Sequence, residues 1–482
     1  MNFQTYSFLL FLAALLIGWR LLKTAKQRRL WLLVACLGFY ASNSLTALVL
    51  LLGEGVFTWL LGRGMKRWPT KKKVLLALGT VVLVAVLARF KYAGFFLENV
   101  NVLTGGALSV TALALPLGLS FVTFQQIFYL YDCYKGDLEP LDPICFALWL
   151  TFFPTVSSGP ITRGGEIAEQ LLDEERLRFD WDHFSAGFYA FALGLFKKVI
   201  LAQVLSGGVA NGYARVWQLS TADALLTILA YTFQLYFDFS GYCDMAWGIA
   251  KMLGIELPRN FDSPYRAVSV SDFWSRWHIT LSRFFRSCVY IPLGGNRKGM
   301  LRTCVNLMII FLISGLWHGA GWGFLIWGAL HGAAMVLERL LRGKVRLPKW
   351  LGWVLTFAFV NVAWIYFRAP STEVAHALIR AVLNFNFYLP SESFCTSLLL
   401  PEVSAALQFL GLYVPTLAVF LRRAIPLLVF PISLLFCLLV KNPIRQAENM
   451  RMTKGKAILC AVALVWSVIS FSRVTTFLYV NF

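Results

Sequence analysis

The chain has 482 residues, 44 Lys and Arg against 24 Asp and Glu for a formal charge of +20, and is 58% hydrophobic with only 14% charged residues. This balance excludes an ordinary soluble domain, and because the basic residues stand between apolar runs they report orientation in a bilayer rather than a nucleic-acid partner. The sequence has no glycine-rich phosphate loop, which argues against an ATP-driven pump, and its nine scattered cysteines lack Cys-x-x-Cys spacing, so neither a metal site nor a disulfide framework is expected.

Apolar runs long enough to cross roughly 30 Å of hydrocarbon recur from end to end. They lie near 5–22, 30–62, 74–90, 102–131, 144–158, 184–210, 222–254, 304–337, 351–367, 404–440 and 457–480. The 30–62 run is too long for one crossing and has Ser42-Asn43-Ser44 as its natural break, while 404–440 reads as two segments. The predicted fold is all-α and polytopic, with about eleven to thirteen transmembrane or re-entrant helices in one integral membrane domain over 1–482 and no soluble appendage. Residues 1–19 carry no basic side chain, and Lys23, Lys26, Arg28 and Arg29 follow the first run. This pattern predicts a retained first helix with the N-terminus outside. Arg63, Lys66, Arg67 and Lys71 to Lys73 then return to the same, cytoplasmic side.

In the middle of the chain, residues 231–244 plant Gln234, Asp238 and Asp244 in an aromatic run. Buried carboxylates need partners, and Arg259, Arg266 or Arg276 from the basic loop are the expected ones. Structural pairing and lining of a substrate path fit this pattern equally well. Over 271–287, Phe273, Trp274, Trp277, Leu281, Phe284 and Phe285 fall within about 120° of one another, opposite Arg276, Arg283 and Arg286. The spacing predicts an amphipathic helix lying at the membrane surface, capped by Ser269 or Ser271, with Asp272 in its first turn. His278 falls at the edge of its aromatic face, either as an interfacial histidine or as the second polar group of a site. Gly294-Gly295-Asn296-Arg297-Lys298 reads either as a plain surface turn or as a small anion-binding turn.

Residues 311–332 place His318 and His331 in an apolar run without Lys, Arg, Asp or Glu. An ionisable side chain at membrane depth is a site candidate by default, and histidine exchanges a proton near neutrality. His318 is the first candidate for chemistry. Gly315, Gly319, Gly321 and Gly323 around it let backbones or a ligand approach closely, and a packed histidine in a small-residue interface is the competing reading. In an unbroken helix His331 would stand about 20 Å away and about 140° round, so it is expected to be structural. His183, in a polar loop, and His376, on a short surface helix, are expected to be solvated.

Six stretches carry a more specific signal: Pro116 to Gln126 (PLGLSFVTFQQ), Phe152 to Pro160 (FFPTVSSGP), Asp238 to Tyr242 (DFSGY), Asn260 to Tyr265 (NFDSPY), Asp272 to Ser282 (DFWSRWHITLS) with Tyr290 to Asn296 (YIPLGGN), and Gly315 to Ala320 (GLWHGA). In this order, over about residues 110–370, the chain resembles the membrane-bound O-acyltransferase (MBOAT) family, in its bacterial alginate O-acetyltransferase branch. The resemblance implies a ring of tilted helices around a central funnel or tunnel, with interfacial amphipathic helices. It maps the family's invariant histidine onto His318 and the second signature histidine of this branch onto His278. Trp317, Asp238, Tyr242, Trp274, Arg276 and Asn296 are the expected substrate- or tunnel-lining residues. The first 100 residues and 370–482 match only in pattern, which leaves the acceptor open.

The resemblance further implies a bacterial inner-membrane enzyme with no permanently bound cofactor. It would take an acetyl group from a cytoplasmic donor, acetyl-CoA, for O-acetylation of an exported polysaccharide such as alginate. A separate periplasmic SGNH-hydrolase-like transferase is the expected partner, since no such domain is fused to the chain. His318 would act as general base in a water-poor channel, a transient acyl-imidazole being the alternative, and His278 would orient the donor or stabilise the oxyanion. Competing readings are transfer of D-alanyl to teichoic acid, of acetyl to cellulose or peptidoglycan, and a transporter or flippase using Asp238, Asp244 and the histidines as a proton relay. A transporter would be expected to carry inverted repeats, and no such symmetry is visible.

Overall fold

The computed structural model describes residues 1–106, 108–109, 113–448 and 450–473, and among them every regular element is a helix. The first three helices, α1 (Tyr6–Leu21), α2 (Ala25–Ala41) and α3 (Leu45–Arg67), each begin on a hydroxyl that accepts from a first-turn amide: Thr5 from Phe8, Thr24 from Gln27 and Ser44 from Ala47. The break between α2 and α3 falls on the polar triplet. After α4 (Lys72–Lys91) and α5 (Ala93–Thr104), α6 (Leu119–Lys135) starts at Gly118, whose φ of 71° and closeness to the Val156 carbonyl leave no room for a Cβ. Of the run expected over 102–131, residues 107 and 110–112 lie outside the described residues. The run expected over 144–158 is two short helices, α7 (Pro143–Thr151) and α8 (Phe153–Val156), followed by α9 (Gly164–Leu172).

The interior is organised by α10 (Trp181–Phe196), which passes through one π-helical turn, Lys197–Ala202, into α11 (Gln203–Ala214), and by the 32-residue α12 (Thr221–Met252). Their backbones approach at two glycine pairs: a Cβ on Gly187 would lie 2.4 Å from the Gly248 carbonyl oxygen, and one on Gly194 2.7 Å from that of Gly241. A polar central helix is tolerated because nearly all of α12 faces protein.

The second half holds α13 (Val270–Arg276), α14 (Ile279–Phe285), α15 (Gly299–His318), α16 (Trp322–Leu341), α17 (Lys349–Arg368) and α18 (Thr372–Leu383). It ends with α19 (Glu392–Ser397), α20 (Pro401–Tyr413), α21 (Pro415–Leu427), α22 (Val429–Leu439), α23 (Pro443–Ala447) and α24 (Lys454–Ile469). The tail of the last expected run, 474–480, lies outside the described residues. Among the described residues, seven helical stretches are long and apolar enough to cross a membrane: Leu45–Arg67, Pro69–Lys91, Trp181–Ala214, Gly299–His318, Trp322–Leu341, Lys349–Arg368 and Pro415–Leu439. The other expected segments are shorter helices or, in α12, a helix too polar to qualify.

Two expectations are corrected here. The helix predicted over 271–287 is broken at Trp277-His278 into α13 and α14, and its aromatic face, Phe273, Trp274, Trp277, Leu281, Phe284 and Phe285, is buried in the protein instead of facing lipid. The 304–337 run is a hairpin, α15 turning into α16 at Gly319 to Gly321, because Gly315 and Gly328 let the two helices touch: a Cβ on either would stand 2.3 Å from a carbonyl oxygen of the other helix.

Candidate functional site

The hairpin places His318 as the last residue of α15, 3% exposed, inside a ring of aromatic side chains. Its imidazole centroid lies 4.8 Å from Trp317, 5.1 Å from Trp327 and 5.2 Å from Phe367. The turn also folds His331 back towards it, with Trp327 between the two at 4.9 Å from the His331 ring. The 20 Å separation of an unbroken helix therefore does not apply. His331 is fully buried, and its Nδ1 accepts a hydrogen bond from Trp274 Nε1 at 3.2 Å, so it orients that indole.

His278 comes from the other side. Its φ of 45° puts it in the left-handed region, which non-glycine residues adopt only where their surroundings hold them. Here the holder is the 260–262 segment. The Asn260 carbonyl accepts from Ile279 N at 3.0 Å, and its Oδ1 accepts from Thr280 N at 3.2 Å and from Thr280 Oγ1 at 2.6 Å. Phe261 forms an antiparallel bridge with Trp277, and Asp262 N donates to the Arg276 carbonyl at 3.0 Å. The NFDSPY and DFWSRWHITLS stretches are thus two halves of one clamp that turns the His278 side chain inwards. Its ring lies 4.9 Å from Phe239 and 6.3 Å from Phe121, and 6.5 Å from the ring of His318. Neither His278 ring nitrogen has a hydrogen-bond partner among the described residues. A fully buried donor and acceptor left in this state is costly unless something else occupies them.

A cavity of about 580 Å3 reaches Phe121 from the α2–α3 turn, and Asn43, Ser44, Ser120, Ser157 and Ser158 supply polar atoms along it. Trp317 packs against two residues that line it, donating from Nε1 to the Ser120 carbonyl at 3.2 Å and lying 5.1 Å from the Phe121 ring. Phe121, Phe239, Trp327, Phe367 and Asn260 were not singled out from the sequence. Phe121, Phe239 and Asn260 fall inside the motif stretches, the only signal that could have marked them.

The remaining candidates separate. Asp238 and Asp244 are paired not with the loop arginines but with Lys198 and Lys197 of the π turn; Lys197 Nζ donates to Asp244 Oδ2 at 2.7 Å. Arg276 donates to Asp272 Oδ1 at 2.7 Å and to the Asp262 carbonyl, and Arg259 faces Glu448, so both serve surface structure. Tyr242 bonds Ser157, which lines the cavity, and stacks on Phe3 at 4.8 Å. Trp274 joins the His331 side of the cluster, and Asn296 stands exposed on its turn. His183 lies in the first turn of α10, half-buried, not in a loop, while His376 is exposed on α18 as expected.

The MBOAT, membrane-bound O-acyltransferase, family model matches residues 35–374, most of the chain and all of this cluster. The chain belongs to the membrane-bound O-acyltransferase family. The match starts well before the residue 110 at which the sequence motifs begin. This acyltransferase is 37% identical to the "Peptidoglycan O-acetyltransferase" of Helicobacter pylori over 94% of its own length and 91% of that protein. It is also 37% identical to the "Probable alginate O-acetylase AlgI" of Pseudomonas aeruginosa, over 81% of this chain and 76% of the relative. The "Teichoic acid D-alanyltransferase" of Bacillus subtilis is more distant, at 26% identity over 54% of this chain and 70% of that one. The chain is an O-acyltransferase and a multi-pass membrane protein.

Proposed function

We propose that this acyltransferase moves an acetyl group from a cytoplasmic thioester, acetyl-CoA, across the bacterial inner membrane for O-acetylation of an exported polysaccharide such as alginate. The observation that carries the reading is the buried pair His278 and His318, whose ring centroids lie 6.5 Å apart. That gap is too wide for the rings to satisfy each other and narrow enough for one small reacting group to touch both. His318 takes the proton of the acceptor hydroxyl as that oxygen attacks the acyl carbonyl, and returns it to the departing thiolate, so the transfer closes without net proton uptake. His278, through a ring nitrogen with no protein partner, donates to the developing oxyanion. The aromatic shell keeps water from competing for the thioester. Acetyl is preferred over D-alanyl because the relatives at 37% identity are named for acetyl transfer.

Peptidoglycan is the second reading for the acceptor. It is favoured by the Helicobacter pylori relative, whose similarity extends over 94% of this chain against 81% for the alginate relative. In either case the N-terminus faces outwards, and a periplasmic SGNH-like transferase completes the delivery.

The test is acetyl-ester content, measured separately in exopolysaccharide and in purified peptidoglycan. A deletion strain would be complemented with wild type or with His318→Ala at matched membrane levels. Loss from the exopolysaccharide, restored by wild type alone, is the expected result. Loss confined to peptidoglycan would move the assignment to the second reading, and unchanged ester in both fractions would sink acetyl transfer.

A further inference from the structure

The helix that ends at His318 stops in a way that its own backbone does not provide for. The residue after it, Gly319, has a φ of −165°, so there is no left-handed turn to close the helix, and of its last four carbonyls only that of Gly315 finds a backbone donor among the described residues, Gly319 N at 3.2 Å. The three carbonyls that follow would be orphans at membrane depth, where no water replaces a missing partner. All three are taken by the end of α4 instead. The Tyr92 hydroxyl donates to the Leu316 carbonyl at 2.9 Å, and Lys91 Nζ donates to those of Trp317 at 2.5 Å and His318 at 3.3 Å.

The ammonium carries three protons, and the third goes to Ser120 Oγ at 3.3 Å. Ser120 is the residue whose carbonyl accepts from Trp317 Nε1, so one lysine ties α4, α6 and α15 together at the point where His318 leaves the helix. A cation is the favourable charge at a helix C-terminus, and Lys91 also stands over the Trp317 ring at 5.8 Å. Nothing in the sequence marks this residue, which looks there like the basic end of an apolar run.

We propose that Lys91 is a positioning residue for acyl transfer: with Tyr92 it closes the helix that carries His318 and so sets where that imidazole stands relative to His278. The two histidines sit on separate segments, His278 held by the Asn260 clamp and His318 by this cap. Neither clamp alone fixes the distance between them. A misplacement of about 1 Å in a catalytic constellation can cost on the order of a hundredfold in rate.

The inference rests on His318 being the catalytic base, and the experiment keeps the two claims apart. Purified protein in nanodiscs would be assayed for acetyl transfer from acetyl-CoA with Lys91→Met, Lys91→Arg, Tyr92→Phe and His318→Ala, alongside thermal melts. The expected pattern is a kcat about tenfold or more lower for Lys91→Met with KM for the donor unchanged, substantial recovery in Lys91→Arg, and a smaller kcat loss for Tyr92→Phe, which stays folded. Wild-type kcat in Lys91→Met beside an inactive His318→Ala would overturn the positioning role. So would a loss that Lys91→Arg does not relieve while Tyr92→Phe matches wild type. Full activity in His318→Ala would instead remove the reading on which the inference stands.

Discussion

Where α10 meets α12, Lys197 and Asp244 lie 2.7 Å apart, each 1% exposed, and one residue further on Lys198 meets Asp238. Where α14 meets α15, His278 is just as deeply buried, yet its ring nitrogens have no hydrogen-bond partner among the described residues, and its polar neighbour is a second imidazole 6.5 Å off. The first region compensates its charges inside the fold and binds two helices whose glycines already bring the backbones together. The second holds the two ring nitrogens of His278 in an aromatic shell and leaves them for something that arrives. Burial by itself does not separate the two: each charge of the first region faces its counter-charge, although Asp244 Oδ1 makes no hydrogen bond among the described residues, whereas His278 has a partner at neither ring nitrogen.

The comparison breaks most sharply at His318. If the second region is the reactive one, His318→Ala should lower turnover by at least about a hundredfold with membrane level and melting temperature close to wild type. Comparable activity in radiolabelled acetyl-transfer assays would place the chemistry elsewhere. The first region should respond in the opposite way. Asp244→Ala strands the Lys197 ammonium, and loss of stability by about 3–5 kcal/mol is expected, read as a collapse of the detergent-solubilised melting transition. Replacing both partners, Lys197→Met with Asp244→Leu, should recover much of it, because the cost lies in the unpaired charge and not in the lost pair.

A finer cut separates the three buried histidines. His278→Asn keeps a side chain that tolerates the left-handed backbone while removing the imidazole, and should lower kcat by about tenfold to a hundredfold. His331→Ala, which releases the Trp274 indole, should cost less activity and more stability; equal kinetic losses would erase the distinction between a group that meets substrate and one that orients an indole. The smallest effect is expected at the surface. Lys251 donates to Glu256 Oε1 at 2.7 Å and holds that carboxyl below its ordinary value. Because the folded value is the lower one, the contribution is present at neutral pH and is lost as pH falls below about 4, which should appear as an acid-side drop in melting temperature missing from Glu256→Gln.

What the sequence made legible follows from where its signals sit. The α2–α3 break was readable because three polar residues interrupt an apolar run, and His318 because an imidazole has no other business there. The α15–α16 turn was not, since Gly319 to Gly321 interrupt the run without adding a charge, and glycine alone signals close approach as readily as reversal. The sequence pattern points Asp238 and Asp244 to arginines of the nearest basic loop, while the lysines that pair with them lie in an apolar stretch 40 and 47 residues upstream. The clamp that sets His278 joins residues 260–262 to 276–280 through backbone bonds and one side-chain acceptor, the Asn260 amide, and a lone asparagine in a loop does not announce its partner.

The left-handed backbone at His278 also limits how this position can drift. The aromatic shell would accept Leu or Phe on volume, but the dihedral favours Gly, Asn or Asp, which pay least for a positive φ. A paralogue that abandoned acyl transfer while keeping this fold is therefore expected to carry one of those three at the position, so a single column of related sequences would separate retired copies from working enzymes.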